Sequence, residues 1–511
     1  MTKQSRRQFL SSAAFAIAAA RLRAQSSSAQ ATLTIPLHAT GPRVPADYIG
    51  LSYEVEQLVD TSFFSPSNTG LVRSLKAISP NGVLRLGGNT SEFEYWKPTP
   101  DSPEPAHPVT RIVEGEPKPN YYPVTAEAIS NLGALLDAAG WRCIYGIGMG
   151  TNAPQRAAAE AEYVAKTLGP NLEYFQIGNE ADLFSSHLRD PKTWSVKTYL
   201  DEWLAMARAV QKSVPGARFG MPDVASRIDW LTQIADAWPS ITDKPNVITL
   251  SHHHYFGGPA TNPNVNIPNL LSAATMVRVQ KTADMANAAA ARMGVPVRMT
   301  EGNTCYRGGK PGVSDVFASA LWSANYSLLL AANRYTGVNL HGGTGLSVAN
   351  GLGGSLPGDG MLAAQGVSPE DIAKHPHPFY TPIATFGTEY VLEPVAYGLI
   401  FAGAFAGATM FAEDLATPLQ AAGVNAVGFG AKLSDGRTSV VVLNKDAEKD
   451  LELTLDFGSR SGRVELTALS APALDSREAL IALSQLPVPR LRAGKCTITV
   501  PHASGMRLTL G

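Results

Sequence analysis

The sequence predicts an α/β protein, a (β/α)8 TIM barrel with a C-terminal all-β sandwich domain. Two features carry the prediction. Between residues 47 and 345 eight short apolar runs recur, most of them followed by a stretch with helical periodicity, and runs that are continuously apolar rather than alternating belong to strands buried on both faces of a parallel sheet. Beyond residue 410 the texture changes to short β-like runs separated by turn residues.

The eight runs are YIGLSYE (48 to 54), GVLRLGGN (82 to 89), RCIYGIGMGTN (142 to 152), LEYFQIGNE (172 to 180), RFGMPD (218 to 223), NVITLSHHHY (246 to 255), VRMTEGN (297 to 303) and GVNLHGG (337 to 343). Helical segments lie between them. Thr125 to Ala139 places Ile129, Leu132 and Leu136 on one face, and Thr198 to Val214 and Ser272 to Met293 behave similarly. A barrel gathers its strand C-termini at one open face. Two long insertions, the Pro-rich Lys97 to Pro123 and the Gly-rich Gly342 to Pro378, belong on that face, where they can wall a cleft.

After a helix-like Val395 to Met410, the runs Val424 to Phe429, Arg437 to Asn444, Leu451 to Phe457, Val464 to Leu469 and Cys496 to Val500 read as a β-sandwich, with alternation clearest in LELTLDF. Ala31 to Ala39 has the same character and is expected to join it. The expected division is residues 1–31 as an export signal, 32–46 as a strand of the sandwich, 47–410 as the barrel and 411–511 as the sandwich. Ser5-Arg6-Arg7-Gln8-Phe9-Leu10, ahead of an apolar stretch too short to span a bilayer, matches a twin-arginine signal and predicts a periplasmic or secreted protein. Ala29-Gln30-Ala31 offers small residues for cleavage.

The charge balance excludes some functions. Forty-two Lys and Arg against 43 Asp and Glu leave a net charge of −1, with no basic excess for nucleic acid or an anionic surface. Three scattered cysteines, Cys143, Cys305 and Cys496, form neither a disulfide framework nor a metal motif and read as small buried hydrophobes.

At the strand C-termini stand Glu54, Asn89, Asn179, Glu180, Asp223, His252 to Tyr255, Glu301 and His341. Glu180 ends the fourth strand and Glu301 the seventh, and those strands lie across the barrel mouth from each other. Two carboxylates facing over one bound group suit glycoside hydrolysis: one protonates the leaving oxygen while the other attacks the anomeric carbon. In that arrangement Glu180 needs a raised pKa and Glu301 must stay ionised.

The blocks LRLGGNTSEF, FQIGNEADLF, LSHHHYF and TEGNTCYRGG resemble, in order and spacing, those of glycoside hydrolase family 79, the β-glucuronidase and heparanase family of retaining enzymes. The resemblance implies Glu180 as acid/base, Glu301 as nucleophile and Tyr255 as the tyrosine that hydrogen-bonds the nucleophile. It also implies Tyr306, the backbone of Gly308, and Tyr380 as holders of a glucuronate carboxylate, with Glu54 and Asn179 taking sugar hydroxyls. Asn89, His253 and Arg307 are further candidates for substrate contact. Arg307 departs from the animal enzyme's Gly, Glu54 from its aspartate, and Gly342 to Pro378 is an added loop. A long loop over the mouth favours removal of a terminal glucuronate over internal cleavage of a polymer. The implied substrate is a glucuronic-acid-containing glycan or glucuronide, with no cofactor, nucleic acid or membrane partner. A heparanase-like endo enzyme and a non-catalytic glycan-binding protein of this fold remain as alternatives.

Other readings are poorer. Of three consecutive histidines on a strand only His252 and His254 share a side, and no metal-ligand spacing accompanies them. Gly146, Gly148 and Gly150 lack the GxGxxG pattern and the downstream acid of a dinucleotide site.

Overall fold

A computed structural model describes residues 29 to 511 except 107, 152 and 488. The twin-arginine segment therefore lies outside the described residues. All eight expected strands form: β1 (Ile49–Glu54), β2 (Val83–Gly87), β3 (Arg142–Ile147), β4 (Leu172–Ile177), β5 (Phe219–Val224), β6 (Val247–Tyr255), β7 (Val297–Asn303) and β8 (Tyr335–His341). They pair in sequence order, all parallel, and β8 closes on β1 to complete the barrel. The continuous apolar runs are explained by burial: β1, β2 and β5 are buried at every position, because helices cover the outer face and packed side chains fill the inner one.

The helices follow local rules. Ala126–Ala139 starts where Thr125 Oγ1 accepts from Ala128 N at 3.2 Å, ends at Gly140 with φ 73°, and buries Ile129, Leu132 and Leu136 against the sheet. Val196–Ser213 carries a Ser195/Thr198 capping box, and Ala273–Met293 is capped by Ser272. Phe317–Ala332 is buried nearly all round, because Pro394–Gly403 packs over its outer side. That second helix is shorter than the sequence suggests. It ends at Gly403, Gly407 takes φ 77°, and Thr409–Met410 pairs with Ala431 and Lys432, so the β-domain begins ahead of residue 411.

Both insertions are structured. The chain flanking residues 98–121 forms a two-stranded parallel pair, Glu94–Lys97 with Tyr122–Thr125. The segment after β8 folds into three short helices, Gly345–Asn350, Pro357–Ala364 and Pro369–Ile372.

Two sheets make up the β-domain. One holds Ala29–Thr34, Leu451–Asp456 and Lys495–Val500; the other has six strands, from Thr409–Met410 to Ala482–Leu486. Leu33, Val440, Val442, Leu453, Leu455 and Leu508 share one apolar core between them. Ala29–Thr34 runs parallel to Leu451–Asp456 from the pair Ala29 and Leu451 to the pair Thr34 and Asp456. Ala29 to Ala31, the segment expected to be cleaved, is thus the first half of a paired strand. No helix among the described residues is long and apolar enough to cross a membrane.

Candidate active site

The C-terminal ends of the barrel strands surround a cavity of about 400 Å³ lined by Glu54, Asn89, Glu180, Tyr255, Glu301 and His341 from the barrel strands and their ends. Tyr306, Arg307 and Tyr380 also line it, as do Gly115 and Glu116 from one insertion and Val348 and Leu352 from the other, the two insertions meeting where Gly353 approaches Glu116 O.

Glu180 follows the end of β4 in a left-handed conformation (φ 51°, ψ 44°), and its N–H donates to Asp223 O at 2.9 Å. Asp223 is also left-handed, φ 59°. A non-glycine residue in this region costs about 1–2 kcal/mol, so the surrounding structure holds both in place. An oxygen of Glu180 and one of Glu301 lie within 4.8 Å of each other, with an imidazole nitrogen of His253 equally close.

Glu301 is clamped. Tyr255 Oη donates to Oε1 at 2.8 Å, Arg85 Nη1 donates to Oε2 at 2.7 Å, and His341 Nδ1 stands 3.7 Å from Oε2. Burial by itself would raise its pKa, but the His341, His253 and Arg85 charges prevail and bring it down to about 2. The opposite holds for Glu180: burial outweighs the His253 hydrogen bond, the Glu301 charge adds to it, and the carboxyl is pushed up. The two acids are thus driven apart in protonation by one shared environment.

Arg85, on β2, went unnoticed in the sequence, yet it organises the floor of the site. Besides Glu301 it donates to Asn179 Oδ1 at 2.8 Å, to Ser52 Oγ and Gln176 Oε1 at 3.2 Å each, and to Asp223. A lone Arg in the apolar run VLRLG was the available signal, since a cation inside a barrel demands several acceptors. Glu92 is a second omission. It accepts from Asn179 N and Gly150 N at 2.7 Å each and fixes the residue before Glu180, and burial raises its pKa to about 7.

The sequence candidates separate into two groups. Glu54, Asn89, Glu180, Tyr255, Glu301, Tyr306, Arg307 and Tyr380 line the cavity. Asn179, Gly308 and His253 do not. The Oδ1 of Asn179 accepts from Arg85 at 2.8 Å and from Gly88 N at 3.1 Å, while its Nδ2 points toward Asn89 Oδ1, at 3.4 Å, on the cavity wall. The carbonyl of Gly308 accepts from Phe379 N at 2.8 Å and so helps seat the segment carrying Tyr380. Glu54 Oε2 accepts from Thr90 N at 2.9 Å and Thr90 Oγ1 at 2.7 Å.

Alternation along β6 separates the three histidines, as the sequence predicts. His253, not the His252 and His254 pair, faces the reacting groups: its Nδ1 is 2.8 Å from Glu180 Oε1, and its Nε2 stands 3.1 Å from Asp223 Oδ2. Burial opposes its charge, but Asp223 and Glu301 hold its pKa at about 10. His252 bonds Tyr335 Oη at 2.7 Å and His254 stacks on Tyr326, and burial lowers both, to about 4 and about 3. Glu180, His253 and Glu301 have the proximity of a metal-ligand set. In this structure His253 is instead shared between Glu180 and Asp223 in a hydrogen-bond network.

Opposed acids over a closed parallel barrel, joined to a β-sandwich, give the architecture of the TIM-barrel glycoside hydrolases. Comparison with solved structures bears out that fold. The 4-O-α-L-rhamnosyl-β-D-glucuronidase of Fusarium oxysporum superposes with a TM-score of 0.68 at 17% identity, covering 94% of this chain and 100% of that one. A GH51 arabinofuranosidase of Xanthomonas axonopodis pv. citri gives 0.63 at 17% identity over 95% and 100%. In sequence, 284 residues are 28% identical to a β-glucuronidase of Aspergillus niger, 51% of either chain. A further match, 26% over 202 residues, is to a β-glucuronidase of Neurospora crassa, 36% of this chain and 35% of that one. The chain therefore spans about half, or less, of the length of the curated relatives it matches. No family model matches it.

Proposed function

We propose that the protein is a retaining, exo-acting β-glucuronidase. The observation that carries the reading is the pair Glu180 and Glu301, with oxygens within 4.8 Å and pKa values displaced in opposite directions over a closed-in cavity. A separation near 5 to 5.5 Å suits a covalent intermediate, whereas an inverting pair stands about 6.5 to 9.5 Å apart to admit water. The similarity to β-glucuronidases from two fungi supports the substrate class.

In this reading Glu301, held ionised by Tyr255 and Arg85, attacks the anomeric carbon. Glu180 gives its proton to the glycosidic oxygen and the aglycone leaves. Glu301 is then an uncharged ester, the Coulombic push that raised the Glu180 pKa disappears, and Glu180, having given up its proton, stays ionised and can take one from the water that releases the sugar. Tyr306, Arg307 and Tyr380 are the groups available for the glucuronate carboxylate; the charge-assisted bond from Arg307 is the strongest of these. The apolar wall of Val348 and Leu352 limits the depth of the cleft and favours a terminal sugar.

The test is hydrolysis of p-nitrophenyl β-D-glucuronide by the wild type, Glu180→Gln and Glu301→Gln. Both variants are expected to lose about 10²-fold or more in kcat, with Glu180→Gln less affected on an aryl leaving group that needs little protonation. Full activity in Glu301→Gln would remove the nucleophile assignment, and no turnover of any uronide by the wild type would remove the function. We further propose twin-arginine export with cleavage ahead of Ala29, since Ala29–Ala31 is paired strand. N-terminal sequencing of exported protein tests it; a mature terminus beyond Ala29 would contradict it.

A further inference from the structure

The proton of Glu180 goes to the glycosidic oxygen, so the leaving group lies on the Glu180 side of the cavity. Three segments enclose that side. The turn Ala181–Ser186 follows the acid directly, and Leu183 N donates to Glu180 O at 2.8 Å, which sets Leu183 one tight turn beyond it. Ala225 and Ser226, after β5, are held to the same turn by the Asp182 carboxylate. The first insertion is tied to it as well: Arg111 Nη2 donates to Ser185 O and Thr110 N to His187 O, at 2.7 Å each, and a few residues further on Gly115 and Glu116 reach the cavity.

The surface they present is apolar and poor in cations. Leu183 lines the cavity and is 37% exposed; Tyr306 lines it too and is 41% exposed. Two large side chains left open in one cavity mark a surface that a ligand covers. Ala225 adds a methyl group beside Leu183. The polar side chains that these segments bring to the cavity are Glu116 and Ser226, and among the described residues no Lys or Arg of theirs lines it. Burial and the Glu180 charge push the Glu116 carboxyl up to about 7 against the charge of Arg307, which places it in the same confined space as the acid. A sugar ring carries more hydroxyls than two such groups can answer, and an anion here would leave water beside an acid with no cation of these segments to meet it.

We propose that these segments form a leaving-group subsite for an uncharged aryl aglycone, with Leu183 as the platform for its ring. The inference rests on the β-glucuronidase reading and adds to it the class of aglycone. A ring laid on Leu183 takes apolar surface of both partners out of water without stranding a polar group. Because Leu183 is fixed through the backbone to the acid itself, the ring it holds stands next to the proton that the departing oxygen receives.

The test compares β-D-glucuronides whose leaving groups are all primary alcohols, so that Glu180 does comparable work in each: methyl, benzyl, 4-carboxybenzyl and 6-O-linked D-glucose. For the wild type, kcat/KM on the benzyl glycoside should exceed that on the methyl glycoside roughly tenfold, with the carboxybenzyl and glucose glycosides well below benzyl. In Leu183→Ala, at unchanged melting temperature, the benzyl-to-methyl ratio should fall to about threefold or less. A wild-type ratio near one overturns the subsite, as does a ratio that Leu183→Ala leaves intact. Turnover of the glucose glycoside equal to that of benzyl overturns the aryl class, and equal turnover of the carboxybenzyl glycoside overturns the exclusion of anions. In all of these outcomes the methyl glycoside is still hydrolysed and the β-glucuronidase reading stands. Where the wild type turns over no uronide, that reading falls and calorimetry with the same glycosides decides the subsite: tighter binding of benzyl than methyl, weakened in Leu183→Ala, supports it, and equal affinities or no binding overturn it.

Discussion

Glu180 and Glu301 are the same chemical group in the same cavity, and their difference comes from neighbours. Glu301 gains hydrogen bonds from Tyr255 and Arg85 and the nearby charge of His253; Glu180 has His253 against burial and the charge of Glu301. The pH profile follows. Glu180 must be protonated, so activity is lost as pH rises through its raised pKa; Glu301 must be ionised, so the acid limb lies near pH 2, unless unfolding intervenes. A kcat/KM profile centred in the acid range is expected, and an optimum above pH 8 would contradict it. Stability follows the same shifts. The Glu301 contribution is complete above its unfolded pKa near 4.5 and lost as pH falls through about 2. The His253 contribution is complete below its unfolded value near 6.5 and lost as pH rises through about 10. Removing Arg85 takes away the guanidinium that contacts both buried acids, Asp223 and Glu301. Arg85→Met should therefore cost about 3–5 kcal/mol in urea unfolding along with activity, and a change below about 1 kcal/mol would show that the pair is compensated elsewhere.

At the scale of elements, β2 shows how backbone makes room for charge. A Cβ on Gly87 would land on the Arg85 guanidinium, and one on Gly88, at φ 76°, would land on the Glu54 carboxylate. The glycines after VLRL are thus spaces for side chains of the site. Gly87→Ala should destabilise by about 1–3 kcal/mol through overpacking and lower kcat more than KM, since Arg85 holds the nucleophile. An unchanged kcat with normal stability would show that Arg85 can shift freely. The loops are equally specific. Asp182 accepts from the N–H groups of Ala225, Ser226 and Arg227 at 2.8, 3.1 and 3.0 Å, fixing the segment that supplies Ala225 and Ser226 to the cavity.

Across the whole molecule, the first described strand belongs to the last domain. Leu33, 1% exposed, fills the sandwich core between strands that lie more than 400 residues later. Leu33→Ala should cost about 2–5 kcal/mol, read as a lower urea midpoint, with kcat unchanged under native conditions. A loss of activity without loss of stability would mean that the sandwich acts on the barrel mouth.

The sequence by itself determined the barrel strands, the sandwich and the two glutamates, because each is a local signal. Continuous apolar runs require burial on both faces, alternating ones burial on one, and an acid at a strand end is placed by the strand before it. The roles of Arg85 and Glu92 and the particular partners of His253, Glu180 and Asp223, were decided by tertiary structure. So were the bonds that fix the Asn179 oxygen to Arg85 and the unmet donors at Lys445 and Asn325. Each depends on which distant groups share a small volume, and a side chain's partners, unlike its periodicity, are not written in its own segment.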